Sequence, residues 1–103
     1  MITSEKINDE LTIIFTASRI DVSIAVKFRE LLSQEIYEKP QKVILDCSKL
    51  EYLDSSALRV LVTFMKEINY YGGHLVLKDL STSFKSILQL SKLDQLFEIH
   101  DDR

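Results

Sequence analysis

Cysteine, proline and glycine are almost missing from this chain, with one, one and two residues respectively among 103. The single Cys47 rules out an intrachain disulfide framework and a cysteine-only zinc cluster. Gly72 and Gly73 are adjacent, so the spaced glycine loops that cradle nucleotide phosphates cannot be built, and no Gly-x-Ser-x-Gly elbow is present. So little proline and glycine also excludes collagen-like or linker-like character. No apolar run approaches the ~18 residues of a membrane span. The most apolar stretch, Ala57 to Met65, already contains Arg59, so no membrane insertion is expected. A basic surplus is lacking too: 13 Lys and Arg stand against 16 Asp and Glu, for a net charge of −3. The basic residues are scattered singly, which argues against direct nucleic-acid binding. Met1 to Lys6 has neither an apolar core nor a cleavage pattern, so no signal peptide is expected and a cytoplasmic location follows as an expectation.

What is present is a 46% hydrophobic chain with 28% charged residues, a balance that folds rather than stays disordered. Size scaling predicts ~6,000 Å² of folded surface, enough burial for one domain spanning residues 1–103. Leu11 to Phe15 is β-branched and aromatic, as a strand should be, and the turn signal Asn8-Asp9-Glu10 makes Glu5 to Ile7 a short edge strand beside it. Ile24, Phe28, Leu31, Leu32 and Ile36 follow helical spacing, with Asp21 or Ser23 as N-cap and Pro40 as the stop. Val43-Ile44-Leu45 is an unbroken apolar run, which predicts a central strand covered on both faces. Leu58, Leu61, Val62, Met65 and Ile68 form the stripe of a second helix that runs from Ser55 to Tyr71 and ends at Gly72-Gly73. Leu75 to Leu77 is a further strand, Ser81 caps a third helix carrying Phe84, Ile87 and Leu88, and Leu96 to Ile99 reads as the last strand. Alternating strands and helices of this kind build an α/β domain with a mixed, mostly parallel β-sheet packed with α-helices.

Few residues suggest chemistry. His74 and His100 have no carboxylate or thiol at ligand spacing in the sequence, and Cys47 after a strand reads as inert packing. The informative segment is Asp46 to Leu58, where a buried strand ends in a carboxylate and a loop leads to Asp54-Ser55-Ser56 at a helix start. The first helical turn carries unpaired N–H groups and a partial positive charge. A hydroxyl there serves as a plain cap or, if phosphorylated, meets an anion-tolerant site. On the same helix Val60 and Phe64 lie at i, i+4 spacing, either as an exposed docking pair or packed under a neighbouring helix.

Val43-Ile44-Leu45-Asp46-Cys47-Ser48, then Tyr52-Leu53-Asp54-Ser55-Ser56-Ala57-Leu58, then Gly72-Gly73-His74-Leu75-Val76-Leu77 together resemble the STAS domain family, named for sulfate transporters and anti-sigma-factor antagonists. Ile20-Asp21 and the segment Leu90 to Phe97 extend the resemblance over nearly the whole chain. It implies a single STAS-like domain acting as a bacterial anti-sigma factor antagonist in a partner-switching circuit. The implied partners are an anti-sigma factor serine kinase and a PP2C-type phosphatase, and Ser55 matches the phosphoacceptor position. No enzymatic activity, catalytic residue, metal or cofactor is implied. The expected partner-binding surface comprises Asp21, Val22, Asp54, Ser55, Ser56, Ala57, Leu58 and Arg59. Ser18, Ala57 and Lys92 stand where the family pattern has glycine, and any of them at a positive φ angle would carry strain.

Two other readings fit parts of the sequence. Asp46 and Asp54 are compatible with an aspartyl-phosphate receiver or a magnesium-dependent phosphotransferase, although the first long strand ends in Thr16-Ala17-Ser18-Arg19 with no acidic pair. A STAS-fold scaffold or accessory subunit, in a signalling complex or a lipid transporter, would need Ser55 only as a cap.

Overall fold

The computed structural model describes residues 1–101. Along β2 (Glu10–Phe15), β4 (Lys42–Asp46) and β6 (His74–Lys78) the cross-strand register aligns apolar residues in rows. Leu11 sits beside Val43 and Val43 beside Leu75, while Ile13, Leu45, Leu77 and Ile99 form the next row. β1 (Ile2–Ile7) adds an antiparallel edge to β2, and β7 (Glu98–His100) a parallel one to β6, giving the order β1-β2-β4-β6-β7. The sheet is mixed and mostly parallel, and the folded chain exposes 6041 Å², in line with the size scaling.

Each crossover advances one place in the same direction, from β2 to β4 through α1 (Ala25–Glu35), to β6 through α2 (Ser55–Tyr70), and to β7 through α3 (Thr82–Leu90). Right-handed crossovers that all advance the same way put every helix on one face of the sheet. Phe28 and Leu32 of α1, Leu61, Phe64 and Ile68 of α2, and Phe84 and Leu88 of α3 join the strand rows in one core. Phe15 and Phe28 meet there with ring centroids 5.8 Å apart. The expectation that Val43-Ile44-Leu45 is covered on both faces is therefore corrected: Val43 and Leu45 are buried in that core, whereas Ile44 is half-buried outside it.

Other boundaries shift for local reasons. The opening strand runs from Ile2, not Glu5, because its full length pairs with β2 from Ile2–Phe15 to Ile7–Glu10. The last strand begins at Glu98, since the Leu96 amide closes a turn onto the Leu93 carbonyl at 3.0 Å. Neither Asp21 nor Ser23 caps α1; Ile24 occupies that place without a side-chain cap, and Asp21 bonds instead within its own loop. Phe64 is buried and half-buried Val60 packs against the core, so the two form no exposed docking pair.

Of the three positions where glycine was replaced, Lys92 alone takes a left-handed φ, 59°. Gly72 takes φ 86° and ends α2. Gly73 must stay small, because a Cβ there would lie 2.6 Å from the Tyr71 ring and 2.9 Å from Ile68.

Candidate functional site

Two very short strands position the motif. β3 (Arg19–Ile20) and β5 (Tyr52–Leu53) pair in parallel, with Arg19 beside Tyr52 and Ile20 beside Leu53. The Ser18 carbonyl accepts the Glu51 and Tyr52 amides at 2.8 and 3.0 Å, and the Ile20 carbonyl accepts the Asp54 amide at 3.2 Å. Ile20 and Leu53 are buried, so this small sheet is pinned to the core from below. Two-residue strands carry no readable periodicity, so the sequence does not reveal this pairing.

Asp54 follows β5 in extended conformation and caps α2: its Oδ1 accepts the Ala57 amide at 3.1 Å. Its other oxygen accepts the Val22 amide at 2.8 Å. One carboxylate thus fixes both the helix start and the loop after β3. Asp21 turns back on itself, accepting the Ser23 amide at 3.0 Å and the Ser23 hydroxyl. Those donors, with the Arg19 guanidinium beside it, hold the Asp21 carboxyl below the usual carboxylate range. Arg19 also lies 4.1 Å from the centre of the Tyr52 ring, a cation–π distance.

The expected surface residues then separate by exposure. Ser55, the first residue of α2, is exposed, Ser56 is half-buried and Arg59 is exposed. Val22 is 68% exposed, an apolar side chain presented beside the motif. Ala57 and Leu58 do not belong to this surface, which corrects the expectation for both. Ala57 is 0% exposed and Leu58 8%, because the third and fourth positions of α2 turn toward the core. The Ala57 methyl fills space beneath the helix start instead of meeting a partner. Arg19 and Tyr52 flank the motif without a local pattern that marks them; their signal lies in the pairing of β3 with β5.

The remaining titratable groups sit elsewhere. Asp46 accepts the Ser48 amide at 3.0 Å, so it and Asp54 are each held by main-chain donors. Cys47 is buried, its thiol 3.4 Å from the Leu45 carbonyl, and burial pushes the thiol pKa up. The expectation that neither histidine has a carboxylate at ligand spacing is corrected: Glu98, two places before His100 in the chain, lies 2.7 Å from both His74 Nε2 and His100 Nε2, and the pairing of β6 with β7 brings His74 to it. A groove of about 780 Å³ lies between the C-terminal ends of α1 and α2, lined by residues such as Tyr37, Tyr70, Tyr71 and Lys66. No motif residue lines it.

Comparison with known proteins agrees with this architecture. The STAS domain matches residues 3–103. The anti-sigma-B factor antagonist of Listeria monocytogenes is 32% identical over 88 residues, covering 84% of this chain and 75% of that protein. An anti-sigma-factor antagonist (STAS) domain protein from Planctomyces limnophilus superposes with a TM-score of 0.86 at 20% identity, covering 99% of this chain and 91% of that one. The Bacillus cell fate determinant SpoIIAA, solved in its phosphorylated form, superposes with a TM-score of 0.73 at 19% identity, covering 100% and 92%. With the family matched over nearly its full length, this chain belongs to the STAS domain family, on the branch of the anti-sigma-factor antagonists.

Proposed function

We propose that this protein is an anti-sigma factor antagonist: a non-enzymatic, cytoplasmic regulator that binds an anti-sigma factor serine kinase and is released when Ser55 is phosphorylated. The observation that carries this reading is the exposed Ser55 hydroxyl on the first turn of α2, beside the exposed Val22. In the modification step Ser55 Oγ forms a bond to the γ-phosphorus of ATP. The bond from that phosphorus to ADP breaks, and the hydroxyl proton passes to a base on the kinase. A PP2C-type phosphatase reverses the state by hydrolysis, releasing inorganic phosphate.

The phosphate adds about −1.5 to −2 charges and three acceptor oxygens. At the positive end of α2 that charge is compatible with the fold, so modification leaves the domain folded. A partner packed against Asp21, Val22, Asp54, Ser55, Ser56 and Arg59 meets instead new bulk and a charge that must be desolvated. Release follows from the interface and not from refolding. The resemblance to proteins named as anti-sigma factor antagonists supports the same role.

The test is a binding assay against the cognate kinase with wild type, Ser55→Ala and Ser55→Asp. The alanine form binds like wild type, and the aspartate form loses about tenfold or more, equivalent to roughly 1.4 kcal/mol. Equal binding by all three, with no ATP-dependent phosphate incorporation, overturns the phosphoswitch and leaves a scaffold.

A further inference from the structure

The residue four places after Ser55 is Arg59, and both are exposed on α2. Residues four apart on a helix stand one above the other, with Cβ atoms about 5–6 Å apart. Helical side chains lean toward the N-terminus, so a long side chain at the later position reaches back over the earlier one. From this spacing the Arg59 side chain is long enough to bring its guanidinium back over position 55.

No other group on the helix competes for it. The positions three and four residues from Arg59 are Ser55, Ser56, Val62 and Thr63, none of them acidic. Among the described residues Arg59 forms no ion pair, and the first turn of α2 carries no acid. The neighbouring carboxylates are occupied, Asp54 by the Ala57 and Val22 amides and Asp21 by Ser23. Arg19, the other cation nearby, lies against Asp21 and the Tyr52 ring. A negative charge N-terminal to a positive one at this spacing is the favourable orientation.

We infer that Arg59 is the intramolecular receptor for a phosphate on Ser55. The inference rests on the phosphoswitch reading and adds its mechanism. Before modification the Arg59 guanidinium stands exposed on the proposed docking surface with no ion pair among the described residues. After modification the guanidinium turns onto the phosphate, whose oxygens suit its paired N–H donors. One modification thus adds negative charge to the surface and withdraws a positive donor from it.

The experiment uses the full chain with phosphoserine installed at position 55 during translation, so that no kinase is needed. Phosphorus NMR follows the second ionisation of the phosphate, ordinarily near pH 6, in wild type, R59A and R59K. Asp21 and Asp54 act on that phosphate equally in all three proteins, so the difference between them isolates Arg59. The wild-type value is expected about 0.3–0.7 unit below that of R59A at low salt, with the gap closing as salt is raised. R59K retains most of the shift, because it keeps the charge. Coincident wild-type and R59A titrations at low salt, with amide spectra showing both proteins folded, overturn the inference. Failure of the phosphoswitch shows in the kinase-binding assay instead, so the two are separately decided.

Discussion

The carboxylate of Asp54 ties Val22, 32 positions earlier in the chain, to the first turn of α2. Its two oxygens serve two main-chain donors, the Val22 amide and the Ala57 amide. One carboxylate therefore links the loop after β3 to the start of α2.

Removing that carboxylate should loosen both loops at once. Asp54→Ala is expected to cost about 2 kcal/mol, combining a lost helix cap with a lost charge-assisted bond. Asp54→Asn keeps one acceptor oxygen and should cost about half as much. Urea unfolding measures the stability, and amide exchange at Val22 and Ala57 reports the loosening directly.

The buried methyl of Ala57 supports the start of α2. Ala57→Gly, which restores the glycine of the family pattern, should destabilise the fold by about 0.5–1 kcal/mol through lower helix propensity. Ala57→Leu should cost about 1–3 kcal/mol, because the site is fully enclosed and a larger side chain overpacks it. Thermal unfolding of Ala57→Leu distinguishes a support role from a contact role, since a residue on the surface would tolerate the larger side chain, whereas the glycine cost of helix propensity is common to both.

Lys92 holds a left-handed backbone conformation after α3, with φ 59°. For a residue with a Cβ that conformation costs about 1–2 kcal/mol, part of which is offset by the greater unfolded-state freedom of glycine. Lys92→Gly should therefore stabilise the domain by about 0.5 kcal/mol. A lowered stability in denaturant melts would show that the Lys92 side chain contributes more than its backbone strain removes.

Asp21 is held ionised by Ser23 and Arg19, so its folded-state pKa lies below its unfolded one. The sign follows from that order: the contribution is fully present above the unfolded carboxylate value and is lost as pH falls through the lowered folded one. Carbon-detected NMR titration should find Asp21 below the usual carboxylate range, and Ser23→Ala should move it back up. An Asp21 titration unchanged by Ser23→Ala would remove the Ser23 hydroxyl as its principal cause.

Cys47 is enclosed between the end of β4 and the core, and burial disfavours its thiolate. The native protein should resist a thiol reagent at pH 8 and react only after unfolding. The ratio of native to unfolded rates then reports global opening.

Much of this architecture is legible in the sequence. The alternation of elements, the apolar stripe of α2 and the terminating role of Gly72 follow from residues within four places of each other, and each matches the structure. The coverage of β4 did not follow. An unbroken apolar run is the same string whether helices lie on both faces or on one. The direction in which successive crossovers advance decides that, and it is a property of the whole sheet.

The local sequence by itself determined the helix start at Asp54 and the apolar strand segments, because caps and periodicities involve near neighbours whose geometry the backbone already constrains. Only the tertiary structure decided which motif residues face outward, that Ala57 and Leu58 turn into the core, that Arg19 lies on Tyr52, and that Glu98 meets His74. Those contacts join residues distant in the chain or set an element against the rest of the fold. They exist because the core brings the segments together, and no short window of sequence records that closure.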